Sequence, residues 1–351
     1  AIDMRNDRQG REVYKVANLA LSNGAYGVAE EAYRYVIDKG PHKPHYWPSR
    51  TKLLDVVFQR VTKGKTPARK ELLRIERDYA NTIKEANPGN RRAQMLKKLA
   101  HIRAFYLDES QEALETINEA LNMGNINAGL YAKCQLEKGD ILVKKGDVWD
   151  AVLLYAKIEK DNKNNPQGFT AKYRKARMAY FTGDFEWAQA QLDVLKASTS
   201  KLIANDAFKL AELIDDNTQQ DTAGNALRIY ARADMYLWQR KDSLALVTLD
   251  SIRGKYPRHA ITDEVYHKKA EIYQNRGQYD KAITFYEKTF QEFGSDIYGD
   301  ASLFQLAKIY QEQKEEYSKA MDLYRKVLEK YPGSIYVSES RKRFRKLRGD
   351  M

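Results

Sequence analysis

Cysteine and proline are both scarce in this chain of 351 residues. Cys134 is the single cysteine, so neither an internal disulfide nor a thiolate-based metal site can form. We expect it to be a small buried apolar residue rather than a nucleophile. The 8 prolines are few enough to permit an almost entirely helical chain.

Catalytic motifs are lacking as well. The sequence has no Gly-rich phosphate loop, no Gly-x-Ser-x-Gly and no His-Glu-x-x-His, and its carboxylates are scattered beside Lys and Arg as on solvated helix faces. His42 and His45 lie in a proline-rich connector without a local carboxylate, where we expect packing of Trp47 onto the first helices rather than a metal site. We therefore predict a chain that is not an enzyme and that has no cofactor or metal.

Long apolar runs are also missing. No stretch approaches the roughly 20 apolar residues that are needed to cross a bilayer. The chain starts at Ala1 rather than at methionine, and the charged residues Asp3, Arg5, Asp7 and Arg8 follow, which is unlike a signal peptide. We expect a mature or excised chain, with any export signal or lipid anchor upstream of Ala1.

What the chain does have is a repeated pattern. An alanine that opens the second helix of each unit recurs from Ala113 onward at steps of 38, 37, 57, 37 and 38 residues, and a weaker unit with Ala68 as its marker fills the gap after Ala29. Such a period predicts about eight helical hairpins that bury their apolar faces by stacking on neighbours. The clear markers are Ala29, Ala113, Ala151, Ala188, Ala245, Ala282 and Ala320.

The clearest copy of the pattern consists of Tyr266, Ala270, Tyr273, Gly277, Tyr279, Ala282 and Tyr286. Its turn glycine, Gly277, stands where a positive φ is expected, and the first copy repeats the same offsets between Ala17 and Pro41. In the last copy Glu315 replaces the turn glycine. This pattern resembles the tetratricopeptide repeat, a unit of about 34 residues. The resemblance implies an all-α superhelix of hairpins with a C-terminal capping helix.

The 57-residue step between Ala188 and Ala245 breaks the period. It contains a polar bend at residues 217–221 and an apolar-periodic helix at 226–239, so we predict an inserted helix that serves as a lid or a hinge, or that marks drift in the repeat. We expect four segments. They are N-terminal hairpins at 1–198, an irregular unit at 199–258, two well-formed hairpins at 259–333 and a basic capping helix at 334–351.

Basic residues outnumber acidic ones. Sixty Lys and Arg against 48 Asp and Glu give a net charge of +12, which favours anionic partners. Six cations fall within residues 341–348. They are either the solvated last turns of a capping helix, where the helix dipole favours cations, or an electrostatic handle for a partner. This basic patch consists of Arg341, Lys342, Arg343, Arg345, Lys346 and Arg348.

The first helices of the hairpins provide the candidate partner-binding surface. In stacked hairpins these helices line the concave wall, and the repeat register places aromatic and charged residues there. Central aromatic and Arg anchors contribute about 2 kcal/mol or more to an interface. Alternatively, several of these rings pack between hairpins, Trp238 above all. The positions are Tyr173, Arg177, Tyr180, Tyr230, Asp234, Trp238, His267, Glu271 and Gln274.

A narrower resemblance concerns the stretch from Asn205 onward. Its segments 214–217 and 230–234, and the ending 344–350, are similar to the C-terminal half of tetratricopeptide proteins from Bacteroidetes. Some of those are envelope lipoproteins of the type IX secretion and gliding machinery. The resemblance implies a periplasmic, outer-membrane-tethered scaffold that holds secretion components together, and it transfers no individual functional residue.

The sequence is compatible with three functions. The first is a non-enzymatic scaffold that binds proteins of an envelope or secretion assembly, with a cytoplasmic location as an alternative. A nucleic-acid-binding adaptor would use the basic surface and would lose affinity steeply with salt, but acidic residues alternate with the basic ones, so nucleic acid is not the expected partner. A peptidoglycan- or glycan-binding module would use the tyrosines and tryptophan of the candidate surface.

Overall fold

The computed structural model describes residues 7–350 apart from 64–66, 199–200, 220, 222, 258 and 296. Throughout that part of the chain the regular secondary structure is helical and contains no strand. The chain divides into two compact units, one ending at Lys175 and the other beginning at Ala176. The four segments expected from the sequence stay a prediction. None of the described helices is both long and apolar enough to cross a membrane.

The first unit is a succession of helix pairs in which each helix packs on the next along the chain. The pairs are α1 with α2, α3 with α4, α5 with α6 and α7 with α8, and α5 continues into a π-helical turn at Arg103–Leu107. The helices are α1 (Arg11–Ser22), α2 (Tyr26–Asp38), α3 (Tyr46–Thr62), α4 (Arg69–Glu85), α5 (Asn90–Ile102), α6 (Ser110–Leu121), α7 (Ala128–Lys145) and α8 (Val148–Asp161).

The second unit follows the same plan. The division between the units falls within α9 (Pro166–Thr182), which is followed by α10 (Phe185–Ser198) and by α11 (Lys201–Thr218), a helix between two hairpins in the segment where the period breaks. The later helices are α12 (Asn225–Trp238), α13 (Asp242–Lys255), α14 (Thr262–Asn275), α15 (Tyr279–Phe293), α16 (Gly299–Glu312), α17 (Tyr317–Lys330) and α18 (Val337–Arg348).

The all-α hairpin fold with a C-terminal cap is confirmed. Eight hairpins, the extra helix α11 and the last helix α18 account for the eighteen α-helices of the described residues. Helix α18 packs on α17, and its Phe344 and Leu347 lie against a core cluster that contains Phe304 and Tyr324. It therefore covers an apolar face that the last hairpin would otherwise expose.

The marker alanines occupy the core. All seven clear markers, from Ala29 to Ala320, are fully buried, as close helix packing requires. Ala68 was the wrong marker for the second hairpin, because it precedes α4 as its exposed N-cap residue. Ile75 takes the marker position instead, since it lies four residues before the buried Tyr79.

A buried tyrosine joins the two helices in five hairpins. In each case the hydroxyl of a tyrosine on the second helix donates a hydrogen bond to a polar side chain of the first helix. Burial raises the pKa of four of these tyrosines, Tyr33, Tyr79, Tyr286 and Tyr324, and it does so to about 12 for Tyr33 and for Tyr324. The pairs are Tyr33 with Asn18 (2.8 Å), Tyr79 with Asp55 (3.0 Å), Tyr155 with Asp140 (2.8 Å), Tyr286 with Gln274 (2.6 Å) and Tyr324 with Gln311 (2.7 Å).

The turn between the two helices of a hairpin requires a left-handed residue. Gly277 has a φ of 70° between α14 and α15, as the repeat pattern predicts. In the next hairpin Glu315 is the left-handed residue, with a φ of 56°. A side chain in this region costs about 1–2 kcal/mol, so this turn is strained relative to its neighbour.

Candidate partner-binding surface

Five of the nine predicted surface residues meet in the second unit, on α9, α12 and α14. They surround Lys268, which the sequence pattern did not indicate, and they contact Tyr298 and Ser302 at the start of α16, which it also missed. We call this group the Lys268 cluster. The five predicted members are Tyr180, Tyr230, Asp234, His267 and Glu271.

Asp234 connects α9, α12 and α14. The hydroxyl of Tyr180 donates a hydrogen bond of 3.0 Å to Asp234 Oδ2, while Lys268 Nζ lies 3.3 Å from Asp234 Oδ1 and 3.8 Å from Glu271 Oε2. Lys268 Nζ is also 5.9 Å from the centre of the Tyr230 ring. One ammonium group thus bridges two carboxylates, and a fixed hydroxyl orients one of them.

His267 extends the cluster to α16. Its Nδ1 atom is 2.8 Å from Ser302 Oγ, and its Nε2 atom is 3.6 Å from Glu271 Oε1. The imidazole stacks on the Tyr298 ring with the ring centres 4.5 Å apart. His267 is itself buried, so its role is to orient Glu271 and to pack the helices.

Burial separates the cluster into packed and open groups. Tyr180 and Tyr230 are each 1% exposed, so these two rings pack inside the unit. This agrees with the alternative in which the rings pack between hairpins instead of facing a partner. Trp238, expected to be the most buried ring, is only half-buried because it ends α12, and the Arg177 guanidinium lies 5.6 Å from its ring centre. The Glu271 side chain is 45% exposed and the Lys268 side chain 27%.

The charges of the cluster are stabilised by one another. Burial by itself would raise the pKa of Glu271, but His267 and Lys268 lower it to about 2. Burial would lower the pKa of Lys268, yet Asp234 and Glu271 raise it above its usual value. Both groups are therefore ionised across the physiological range.

Four of the nine predicted positions do not join the cluster, namely Arg177 and Trp238, described above, and Tyr173 and Gln274. Tyr173 is half-buried and belongs to the first unit. Gln274 accepts the hydrogen bond of Tyr286, so it belongs to one of the five tyrosine pairs. All nine residues lie on first helices of hairpins, as the repeat register predicts, and the individual contacts decide which of them meet. That they bind a partner stays a prediction.

The six cations of the basic patch on α18 differ in whether they form ion pairs with described residues. Arg343 lies 2.6 Å from Glu312 and 2.8 Å from Glu339, and Arg348 pairs with Asp350. The other four cations are exposed, and none forms an ion pair with another described residue. They are Arg341, Lys342, Arg345 and Lys346.

The histidine connector and the cysteine have structural surroundings. The His45 ring stacks on Tyr14 at 4.8 Å, and Trp47 packs partly buried against the core of the first unit. Cys134 is buried, and burial raises the pKa of its thiol to about 11. Among the described residues no three or more His, Cys, Asp or Glu side chains are grouped so as to hold a metal ion.

The comparisons with known proteins concern the same helices. Residues 262–332, which include α14 to α17, match the tetratricopeptide repeat family model. This segment is therefore similar to tetratricopeptide repeats. His267, Lys268 and Glu271 lie on α14, the first helix of the matched segment, and a fold of this kind is consistent with a scaffold for protein–protein interactions.

Two solved structures are similar to longer parts of the chain. A tetratricopeptide repeat protein from Parabacteroides merdae ATCC 43184 has 14% identity and a TM-score of 0.42, over 80% of this chain and 92% of that one. The tetratricopeptide repeat domain of P58(IPK) has 15% identity and a TM-score of 0.30, over 97% and 98% of the two chains. No protein of curated function matches the sequence.

Proposed function

We propose that this chain is a non-enzymatic scaffold that binds a partner protein through the open side of the Lys268 cluster. The observation that carries the proposal is the exposed carboxylate of Glu271, which neighbouring groups hold in one place. A surface whose side chains are already fixed loses little conformational entropy on binding.

The residues beside the cluster have the chemistry of interface anchors. Trp238 lies one helical turn beyond Asp234 on α12, and the guanidinium of Arg177 packs over its ring. Tryptophan and arginine are the side chains most enriched among binding hot spots. A partner that offers an apolar contact to Trp238 and a hydrogen-bond donor to Glu271 would fit this surface.

We further propose that the partners are proteins of a bacterial envelope or secretion assembly of the type IX kind, with the chain located in the periplasm and associated with the outer membrane. The support is the sequence similarity of the stretch from Asn205 onward to Bacteroidetes envelope proteins. The Lys268 cluster lies within that stretch, apart from Tyr180 on α9.

The decisive experiment is an affinity pull-down from envelope extract with two matched triple variants. The site variant combines Arg177→Ala, Trp238→Ala and Glu271→Gln. The control combines Arg325→Ala, Tyr317→Ala and Glu329→Gln, which change the same kinds of residue at exposed positions of α17. Circular dichroism checks that both remain folded.

We expect specific envelope proteins to be retained by the wild type and by the control but lost from the site variant. Equal recovery by both variants would contradict binding at the Lys268 cluster. Recovery from cytoplasmic extract alone would contradict the envelope location and leave the scaffold function intact.

A nucleic-acid-binding adaptor is the second candidate, because four cations of α18 are exposed without an ion pair to another described residue. A variant with Arg341, Lys342, Arg345 and Lys346 each changed to Gln tests it. The adaptor function would be supported, and the scaffold function contradicted, if the recovered material were sensitive to nuclease and were lost only from this variant. Each phosphate contact removed should also reduce the salt dependence of binding.

A further inference from the structure

One side of α18 is exposed and carries only positive charge. Four cations follow one another there at the i, i+1, i+4 and i+5 spacing that places side chains on one side of a helix. The opposite side of the helix is fixed, because Ser340 is buried and Phe344 lies against the last core cluster. We call the exposed side the α18 basic face. It consists of Arg341, Lys342, Arg345 and Lys346.

The acidic residues around this face are paired with other cations. Glu339 is the one acidic residue of α18, and it lies 2.8 Å from Arg343. Glu312 pairs with the same arginine at 2.6 Å, and Asp350, just beyond the helix, pairs with Arg348. Because no described carboxylate forms an ion pair with the α18 basic face, a partner that complements it must be anionic.

An exposed aliphatic side chain stands beside the α18 basic face. Ile335 is 80% exposed in the turn that leads from α17 into α18. The turn is fixed by Tyr336, whose ring stacks on Phe304 with the ring centres 4.7 Å apart. While Tyr336 is directed into the core, Ile335 is directed toward solvent, as the four cations are. Cations next to an exposed isoleucine combine electrostatic attraction with apolar burial at a membrane surface.

The surroundings of these cations favour a bilayer over a nucleic acid. Proteins that bind single strands stack the bases on exposed aromatic rings, but the rings nearest to the cations, Tyr336 and Phe344, pack against the core cluster. The backbone of a duplex attracts cations but offers no apolar contact to Ile335. An anionic bilayer matches both features, because its headgroups pair with Lys and Arg while its acyl boundary admits an aliphatic side chain.

We propose that the α18 basic face docks this chain on the surface of a bilayer that contains anionic phospholipids. The four cations lie against the lipid phosphates, and Ile335 enters the boundary between the headgroups and the acyl chains. The apolar side of α18 stays in the core of the protein. The inference goes beyond the proposed scaffold function, since it sets the last helix of the second unit against a membrane and requires no contact at the Lys268 cluster.

Flotation of the full chain with lipid vesicles tests the docking surface. The vesicles consist of phosphatidylcholine with or without phosphatidylglycerol, which is anionic. The site variant changes all four residues of the α18 basic face to Gln. The control removes the same charges, two arginines and two lysines, from exposed positions of α11, α12 and α13. It changes Lys209, Arg232, Arg253 and Lys255 to Gln.

A second matched pair of variants separates a bilayer from other polyanions. Ile335→Asn removes the exposed aliphatic side chain. Ile297→Asn makes the same change in the turn before α16, where the isoleucine is 55% exposed but no row of cations follows. Both variants are also tested for binding to a DNA duplex. All the changed side chains are exposed, and circular dichroism checks that every variant remains folded.

We expect the wild type and both controls to float with the anionic vesicles and not with phosphatidylcholine alone. The site variant should bind the anionic vesicles at least about a hundredfold more weakly, since each cation near such a surface contributes about fivefold. Ile335→Asn should weaken vesicle binding at least about threefold and leave duplex binding unchanged.

Four results would each overturn the proposal. Equal binding to both kinds of vesicle, or equal binding by the site variant and its control, would remove the electrostatic contact. Tighter binding to the duplex than to the anionic vesicles would assign the α18 basic face to nucleic acid. Equal vesicle binding by the two isoleucine variants would leave a purely ionic contact that any polyanion satisfies. Because the pull-down uses other variants, failure of the scaffold function leaves the membrane contact standing, and the reverse also holds.

Discussion

Glu264 and Glu271 lie seven residues apart on α14, about two helical turns, yet their surroundings shift their pKa values in opposite directions. Burial and Asp263 raise the pKa of Glu264 to about 9. Burial acts in the same direction on Glu271, but His267 and Lys268 reverse it and lower the pKa to about 2. Neighbouring side chains on the same helix, rather than residue type or helix face, decide which carboxyl group is charged.

The contrast also ranks the forces involved. Glu264 lies in the first turn of α14, where the helix dipole favours a negative charge by about 0.3–1 kcal/mol, which is less than one pKa unit. The pKa nevertheless rises by several units, from 4.5 to about 9. Desolvation and repulsion from Asp263 therefore outweigh the dipole at this end of the helix.

The variant Lys268→Met should reduce the difference between the pKa values of Glu264 and Glu271, and it should have the largest effect on stability. It removes the ammonium that bridges Asp234 and Glu271, so the pKa of Glu271 should rise and the free energy of unfolding should fall by about 2–4 kcal/mol. The expected loss in the free energy of unfolding is smaller than for a fully buried ion pair because the Lys268 side chain is 27% exposed. Urea unfolding measures the loss.

Lys314→Met is the matched control for that variant. Lys314 pairs with Asp280, whose side chain is 87% exposed, so its replacement should cost at most about 1 kcal/mol. Equal losses for the two lysine variants would mean that the Lys268 cluster is no more than a set of surface ion pairs.

The variant Glu264→Gln should stabilise the chain, by about 1–3 kcal/mol at pH 8. The folded chain must hold a proton that the unfolded chain releases above the ordinary pKa of 4.5. The stability linked to this group is therefore fully present below pH 4.5 and is lost as the pH rises toward 9. Urea unfolding at pH 5 and pH 8 should show the gain chiefly at pH 8, and a gain of the same size at both values would refute the raised pKa.

The variant Glu271→Gln should have the smallest effect, with the opposite pH dependence. Because the pKa falls on folding, ionised Glu271 contributes stability above its ordinary pKa of 4.5, and this contribution is lost as the pH falls toward 2. Exposure of the side chain to solvent reduces its size. Thermal unfolding at pH 6 and pH 3 should show a smaller difference between wild type and variant at pH 3. A difference of the same size at both pH values would contradict the lowered pKa.

The sequence predicted the hairpins well because their spacing is a local property. Buried alanines and a left-handed turn glycine must recur at fixed offsets whenever two helices pack closely, so Ala282 and Gly277 could be assigned correctly. The second hairpin was misread at Ala68 because Ile75 fills the position that alanine holds elsewhere. Where a bulkier residue meets the same packing need, a search for alanine fails.

The candidate site was predictable only in part. Helical periodicity placed Asp234 and Glu271 on the correct helices, but it could not show that Lys268, the neighbour of His267 in sequence, would lie between them.

The tyrosine hydrogen bonds of the five hairpins have a consequence for folding fidelity. Helices from similar repeats can associate in the wrong alignment, since their alanine stripes are nearly interchangeable. Sliding one helix past the other by a turn would move the acceptor about 5.4 Å along the axis and leave the hydroxyl of Tyr33 or Tyr286 buried without a partner. Such a loss costs about 1–3 kcal/mol in each hairpin, so every polar pair acts as a check against misaligned assembly.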